Sequence, residues 1–126
     1  MKVLQILEGA YRATLEEQDD PALWITQAMR GAGGEFNVLL RGNAVNYACA
    51  AQDARGLRLG DWSQSQPPDI GADLTRLLSS GVGVCAVFED VQQRGIAADL
   101  LRPDIEMIRR DALPGYLQRF DQIWHW

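Results

Sequence analysis

Short apolar runs broken by glycine and polar turns dominate the first half of the chain. Val3, Leu4, Ile6 and Leu7 make the first run, which stops at Glu8-Gly9 as a buried strand stops at a loop. Residues 10–19 carry no clear period, and Asp20-Pro21 then sets a capping carboxylate before a proline suited to a first helical turn. Trp24, Ile25, Ala28, Met29 and Ala32 recur at helical spacing before the stop at Gly31, Gly33 and Gly34, which predicts a helix over about 21–31 with that face inward. Phe36 to Leu40 reads as the second strand, closed by Arg41-Gly42-Asn43. Asn43 resembles an N-cap for an alanine-rich helix over 44–52, on which Val45 and Cys49 share an inward face. Residues 53–68, with Gly56, Gly60 and Pro67-Pro68, read as a long surface loop in which Trp62 finds no role.

Beyond the loop the pattern sharpens. Ile70, Leu74, Leu77 and Leu78 fall on one helical face ahead of Gly81. Residues 82–88 contain no polar side chain, as expected of a central strand buried on both faces of a parallel sheet. Glu89 to Gly95 opens as a short polar helix, Ile96 to Leu101 adds an apolar turn, and Ile105 to Ile108 is a fourth strand. Leu113, Leu117 and Phe120 mark a last helix, and Ile123 to Trp126 a fifth strand. Strands alternating with crossover-length connections predict one α/β domain over 1–126, a mostly parallel five-stranded sheet with helices on both faces. Ligands of such sheets collect outside the carboxyl ends of the strands. The expected site therefore comprises Glu8 to Tyr11, Arg41 to Asn46, Glu89 to Arg94 and Arg109.

Composition narrows the partners. The 126 residues hold 12 Lys+Arg against 17 Asp+Glu, a net charge of −5, so neither nucleic acid nor an anionic membrane surface is an expected partner. No apolar run is long enough for a signal peptide or a membrane span, which predicts a cytoplasmic protein. Cys49 and Cys85 are too few for a disulfide framework. With one histidine, His125, and cysteines far apart, no usual metal-ligand spacing or catalytic triad is present, and neither a metal nor a cofactor is expected.

Candidate chemistry is confined to a few side chains. Cys85, inside an apolar strand, is either a small buried hydrophobe or a reactive thiol. Arg41 and Asn43, at a strand-to-helix turn, either hold an anion or serve as ion-pair partner and cap. Glu89 and Asp90 open a helix, where negative charge is favourable without any ligand, and a general acid/base role is the alternative. Glu8, Tyr11 and Asn46 complete the expected ligand-binding set by position.

Three stretches resemble the DsrE/DsrF/DsrH-like family of small sulfur-relay and related proteins. They are Gly81 to Val84 running through Glu89-Asp90-Val91-Gln92-Gln93-Arg94-Gly95-Ile96, the stretch Val38 to Val45, and the short strand 105–108 with the helix leading to the aromatic end. The resemblance implies a DsrE-like fold, assembly into a dimer, trimer or hexamer, and a sulfur-carrier protein as partner. Sulfur-carrying members hold a persulfide on a cysteine at the end of the third strand. Anchored on Arg94-Gly95, that position holds Val87, and Cys85 lies two residues earlier, on the same face but about 7 Å deeper. The resemblance leaves two functions open, a sulfur-trafficking or small-ligand accessory protein, and a non-catalytic oligomeric subunit. Trp124 and Trp126 suit an interface or the core equally.

Overall fold

The computed structural model describes residues 1–12 and 19–126. Most of the aperiodic stretch 10–19 lies outside the described residues. Five strands, β1 (Lys2–Leu7), β2 (Glu35–Leu40), β5 (Gly83–Val87), β6 (Glu106–Ile108) and β7 (Gln122–His125), form one sheet in the order β6-β5-β2-β1-β7, with every pairing parallel. The apolar strand 83–87 is paired on both sides, but the middle of the sheet is β2 rather than β5. The expectation of a central third strand is corrected to that extent. Continuous apolarity reports burial on both faces, and β2 and β5 share that condition.

The chain steps from β1 through β2 and β5 to β6 in one direction, then returns past all of them to β7. Right-handed crossovers put the helices of opposite steps on opposite faces. Helices α1 (Pro21–Gly31) and α2 (Ile70–Ser79) accordingly pack on one face with Val38, Leu40, Val84 and Ala86. Helix α4 (Leu113–Leu117) packs on the other, where Leu113, Tyr116 and Leu117 meet Leu4, Ile6, Leu39, Cys85 and Val87. A short helix, α3 (Phe88–Gln93), continues directly from β5.

Several local expectations change. In α1 the buried residues are Ala22, Leu23 and Thr26, while Trp24 and Met29 are exposed. The Thr26 hydroxyl donates to the Ala22 carbonyl at 2.7 Å, which removes the cost of turning it inward. The segment expected as a helix over 44–52 is a 3-10 helix, Gly42–Ala48, and Cys49 beyond its end is only half-buried. Asn43 does not cap it, because Arg41 holds the N-cap position and makes no side-chain cap bond. Within the expected loop 53–68, β3 (Arg58–Leu59) and β4 (Trp62–Ser63) form a small antiparallel hairpin that leaves Trp62 exposed. Trp124 packs edge-on against Phe36 at 5.8 Å and the Trp126 indole N–H donates to buried Gln5 at 2.6 Å, so both tryptophans serve this chain's own fold.

Candidate functional site

Strand ends and the 3-10 helix converge on Gly42. Its φ of +56° lies in the left-handed region, where glycine carries no Cβ penalty. That turn points the Gly42 N–H at Asp90 Oδ2, 2.8 Å away on α3. Asp90 Oδ1 accepts from the Arg110 guanidinium at 2.6 Å, so one nearly buried carboxylate ties the turn after β2 to the segment after β6. Asp90 and Glu89 do not cap α3, whose N-cap is Val87 without a side-chain cap bond. Glu89 instead accepts the Arg110 backbone N–H at 2.8 Å and lies 3.9 Å from Arg109. Partial burial pushes the Glu89 carboxyl up, but that N–H and the two guanidiniums outweigh it and hold it below the ordinary glutamate range.

The predicted ligand residues fall into two groups along this surface. Glu8 pairs with Arg41 at 2.9 Å and with His125 Nε2 at 3.3 Å, and its backbone carbonyl receives the Ala44 N–H. Asn43 Oδ1 accepts from Arg94 at 2.9 Å, and Arg94 also donates to the Asp90 carbonyl. Glu8 and Arg41 thus form one charged pair, and Asn43 and Glu89 join a separate network through Arg94, Asp90 and Arg110. Asn46 and Tyr11 stand at its flank. Asn46 donates to the Asn43 carbonyl, Gln52 donates to the Asn46 carbonyl, and the Tyr11 hydroxyl donates to Gln52 at 2.9 Å. Tyr11 has a φ of +56°, unusual for a side chain of its size. Its backbone N–H donates to the Tyr47 hydroxyl at 2.6 Å and its ring meets Tyr47 edge-on at 5.1 Å, contacts that hold the conformation. Burial raises the Tyr11 phenol, as does the nearby Cys49 thiol, against the lowering bond to Gln52.

Cys85 lies elsewhere. It sits in the middle of β5 on the α4 face, 5% exposed, and its thiol faces a cavity shared with Asn37, Glu106, Tyr116 and Arg119 rather than the strand ends. Burial pushes the thiol above its ordinary value, against the Tyr116 hydroxyl, which lowers it. Val87, at the strand tip, is buried. The half-buried Cys49 is raised by burial as well. Sequence reasoning missed Arg110 and the bridging role of Asp90, and it set His125 aside. The signal for Arg110 was its place beside Arg109 after a strand, and that for Asp90 was a second carboxylate beside Glu89.

Among the described residues no group of acidic, histidine or cysteine side chains is placed to hold a metal ion, and no helix is long and apolar enough to cross a membrane. No family model matches the chain, and no curated protein matches it. Solved structures do. The chain resembles the ychN protein from E. coli with a TM-score of 0.71 at 20% identity, covering 99% of this chain and 98% of that one. It resembles MTH1491 from Methanobacterium thermoautotrophicum, a protein of unknown function, with a TM-score of 0.64 at 13% identity over 98% and 97% of the two chains. BT1422 from Bacteroides thetaiotaomicron, also of unknown function, gives 0.64 at 18% identity over 99% and 95%. These likenesses establish the small parallel-sheet α/β fold over nearly the full chain.

Proposed function

We propose that this chain is a DsrE-like accessory protein that binds a small oxyanion at the carboxyl ends of its strands without using a thiol as nucleophile. The observation that carries the reading is the local charge. Arg41 pairs with Glu8, Arg109 with Glu89 and Arg110 with Asp90, while Arg94 bonds only to the Asn43 amide oxygen and the Asp90 carbonyl and has no carboxylate partner among the described residues of a chain of net charge −5. Each guanidinium has five N–H donors, and Arg41, Arg109 and Arg110 commit few of them to their carboxylates. Their side chains are about half exposed or more, so spare donors face solvent, where a guanidinium fork can hold two oxygens of an oxyanion at once.

The sulfur-relay resemblance favours a sulfur oxyanion within that class. The position matching the family's carrier cysteine is Val87, and the nearest thiol along the strand, Cys85, is buried with its ionisation disfavoured. Both features support a binding role over persulfide transfer.

Isothermal titration with sulfate and thiosulfate tests this reading. Saturable binding is expected, weakened about tenfold or more in Arg110→Gln and in Arg94→Gln, a loss of roughly 1.4 kcal/mol or more. Absence of saturable heat, or binding indifferent to both substitutions, would overturn it. Intact mass after incubation with a persulfide donor should show no stable gain of sulfur. A gain lost in Cys85→Ser and kept in Cys49→Ser would replace anion binding by sulfur carriage.

A further inference from the structure

The α4 face of the sheet holds a concavity formed by residues that the strand-end surface does not use. Asn37 on β2, Gly83 and Cys85 on β5, Glu106 on β6, and Tyr116 and Arg119 on and just beyond α4 line a cavity of about 230 Å³. Strand register explains the assembly. Asn37 pairs with Gly83 and Cys85 with Glu106, so these four residues are neighbours on one face. Gly83 leaves the Asn37 amide in place, because a Cβ at that position would come within 2.5 Å of the Asn37 side-chain nitrogen and displace it. The missing side chain leaves room for the Asn37 amide over the strand. The Tyr116 hydroxyl lines the same cavity as the Asn37 amide and the Cys85 thiol, which gives the floor neutral donors and acceptors.

The rim carries opposite charges that do not meet. Arg119 and Glu106 both line the cavity, yet no ion pair joins them, and neither has another charged partner among the described residues. Arg119 is held with its guanidinium carbon 5.4 Å from the centre of the Tyr116 ring. Asp104, the other acidic lining residue, is engaged by Arg102 through bonds of 2.9 and 2.8 Å. Cys85, Glu106 and Arg119 line the same cavity, so the two charges share one floor.

We propose that this cavity binds one zwitterionic molecule of amino-acid size, with its carboxylate on Arg119, its ammonium on Glu106 and its side chain toward Tyr116, Asn37 and Cys85. Such a ligand satisfies both rim charges at once. A simple anion would also face Glu106 and Asp104, and a simple cation would face Arg119, so each is disfavoured by one side of the rim. The volume is below the roughly 300–1,000 Å³ of drug-sized sites, which limits the occupant to a small metabolite.

The test is a thermal-shift panel of the twenty L-amino acids at millimolar concentration on the purified protein, followed by calorimetry of any that stabilise it. At least one amino acid is expected to bind saturably, while its matched analogues lacking either the ammonium or the carboxylate do not. Affinity should fall about tenfold or more in Arg119→Gln and in Glu106→Gln, exposed positions where the fold can be verified by circular dichroism. Gly83→Ala, which displaces the Asn37 amide, should weaken binding as well. The proposal is overturned if no amino acid binds, if the single-charge analogues bind equally well, or if both rim substitutions leave affinity unchanged. Because no residue is shared with the strand-end surface, sulfate binding and amino-acid binding can fail separately.

Discussion

At the scale of single residues, the fold depends on polar side chains that each do two jobs. Asp20 caps α1 by accepting from the backbone N–H groups of Ala22 and Leu23, and the same buried carboxylate accepts from the Tyr47 hydroxyl at 2.6 Å. Tyr47 in turn accepts the Tyr11 N–H, so one phenol links the start of α1 to the residue held at positive φ beside the strand ends. Burial first, and then the bond to the Asp20 carboxylate, raises the phenol well above its ordinary value, so it stays protonated as the donor. Tyr47→Phe keeps the ring but leaves a buried carboxylate oxygen and a backbone N–H without their partner. A loss of about 1–3 kcal/mol is expected, read as a lower urea midpoint at unchanged slope. A midpoint within error of the parent would show that water replaces the hydroxyl. The capping role of Asp20 was legible in the sequence because it is local, Asp before Pro at a helix start. Its second role was not, since Tyr47 is 27 residues away and only the fold brings it near.

Among the elements, legibility followed the strength of the periodic signal. In α2 the apolar spacing identified Ile70, Leu74 and Leu77, all buried. In α1 it selected the wrong face, because Trp24 and Met29 weigh heavily in any apolar count whereas the true inward face includes small Ala22 and Thr26. The segment after β2 has helix-compatible alanines but winds as a 3-10 helix, started by a left-handed glycine and fixed by Asp90 from another element. Tertiary contacts of that kind leave no local trace. Helix α2 also carries the clearest pH signature. Asp73 is buried, with Oδ1 bonded to Arg76 and Oδ2 unpartnered among the described residues. Burial raises its carboxyl above the ordinary aspartate range, assisted by Asp19 and Asp69 and opposed by Arg76. A raised folded-state pKa favours the protonated form, so the stability Asp73 contributes is fully present below the unfolded value and is lost as pH rises through the folded one. The stability of Asp73→Asn relative to the parent should therefore increase as pH rises from about the ordinary aspartate value and then level off. Thermal unfolding of both proteins across that range checks this, and a difference that shrinks with rising pH would contradict it.

Over the whole molecule, the parallel sheet was legible because alternating strands and crossover-length connections admit few other arrangements. Strand order was not, since apolarity marks burial without marking position, and only pairing places β2 in the middle. Nor could the sequence separate the two candidate binding regions, because both draw on β2 and β5. The strand-end surface takes its residues from beyond Leu40 and Val87, whereas the α4-face cavity begins at Asn37 and Gly83, near the opposite ends of those strands. Four residues of strand rise separate Gly83 from Val87, about 13 Å. Sites that far apart with no shared partner contribute independently to stability, to within about 0.5 kcal/mol. A ligand that binds only the folded state stabilises it by RT ln(1 + [L]/Kd), so sulfate and the amino acid selected by the cavity should each shift unfolding, and together by the sum of their separate effects. Denaturant titrations with neither, each and both ligands measure this directly. An additive result is expected in the parent, with the sulfate part alone reduced in Arg110→Gln and the amino-acid part alone reduced in Arg119→Gln. If one ligand's effect vanished in the presence of the other, the two would occupy a common site, and the division of the sheet into two working faces would be wrong.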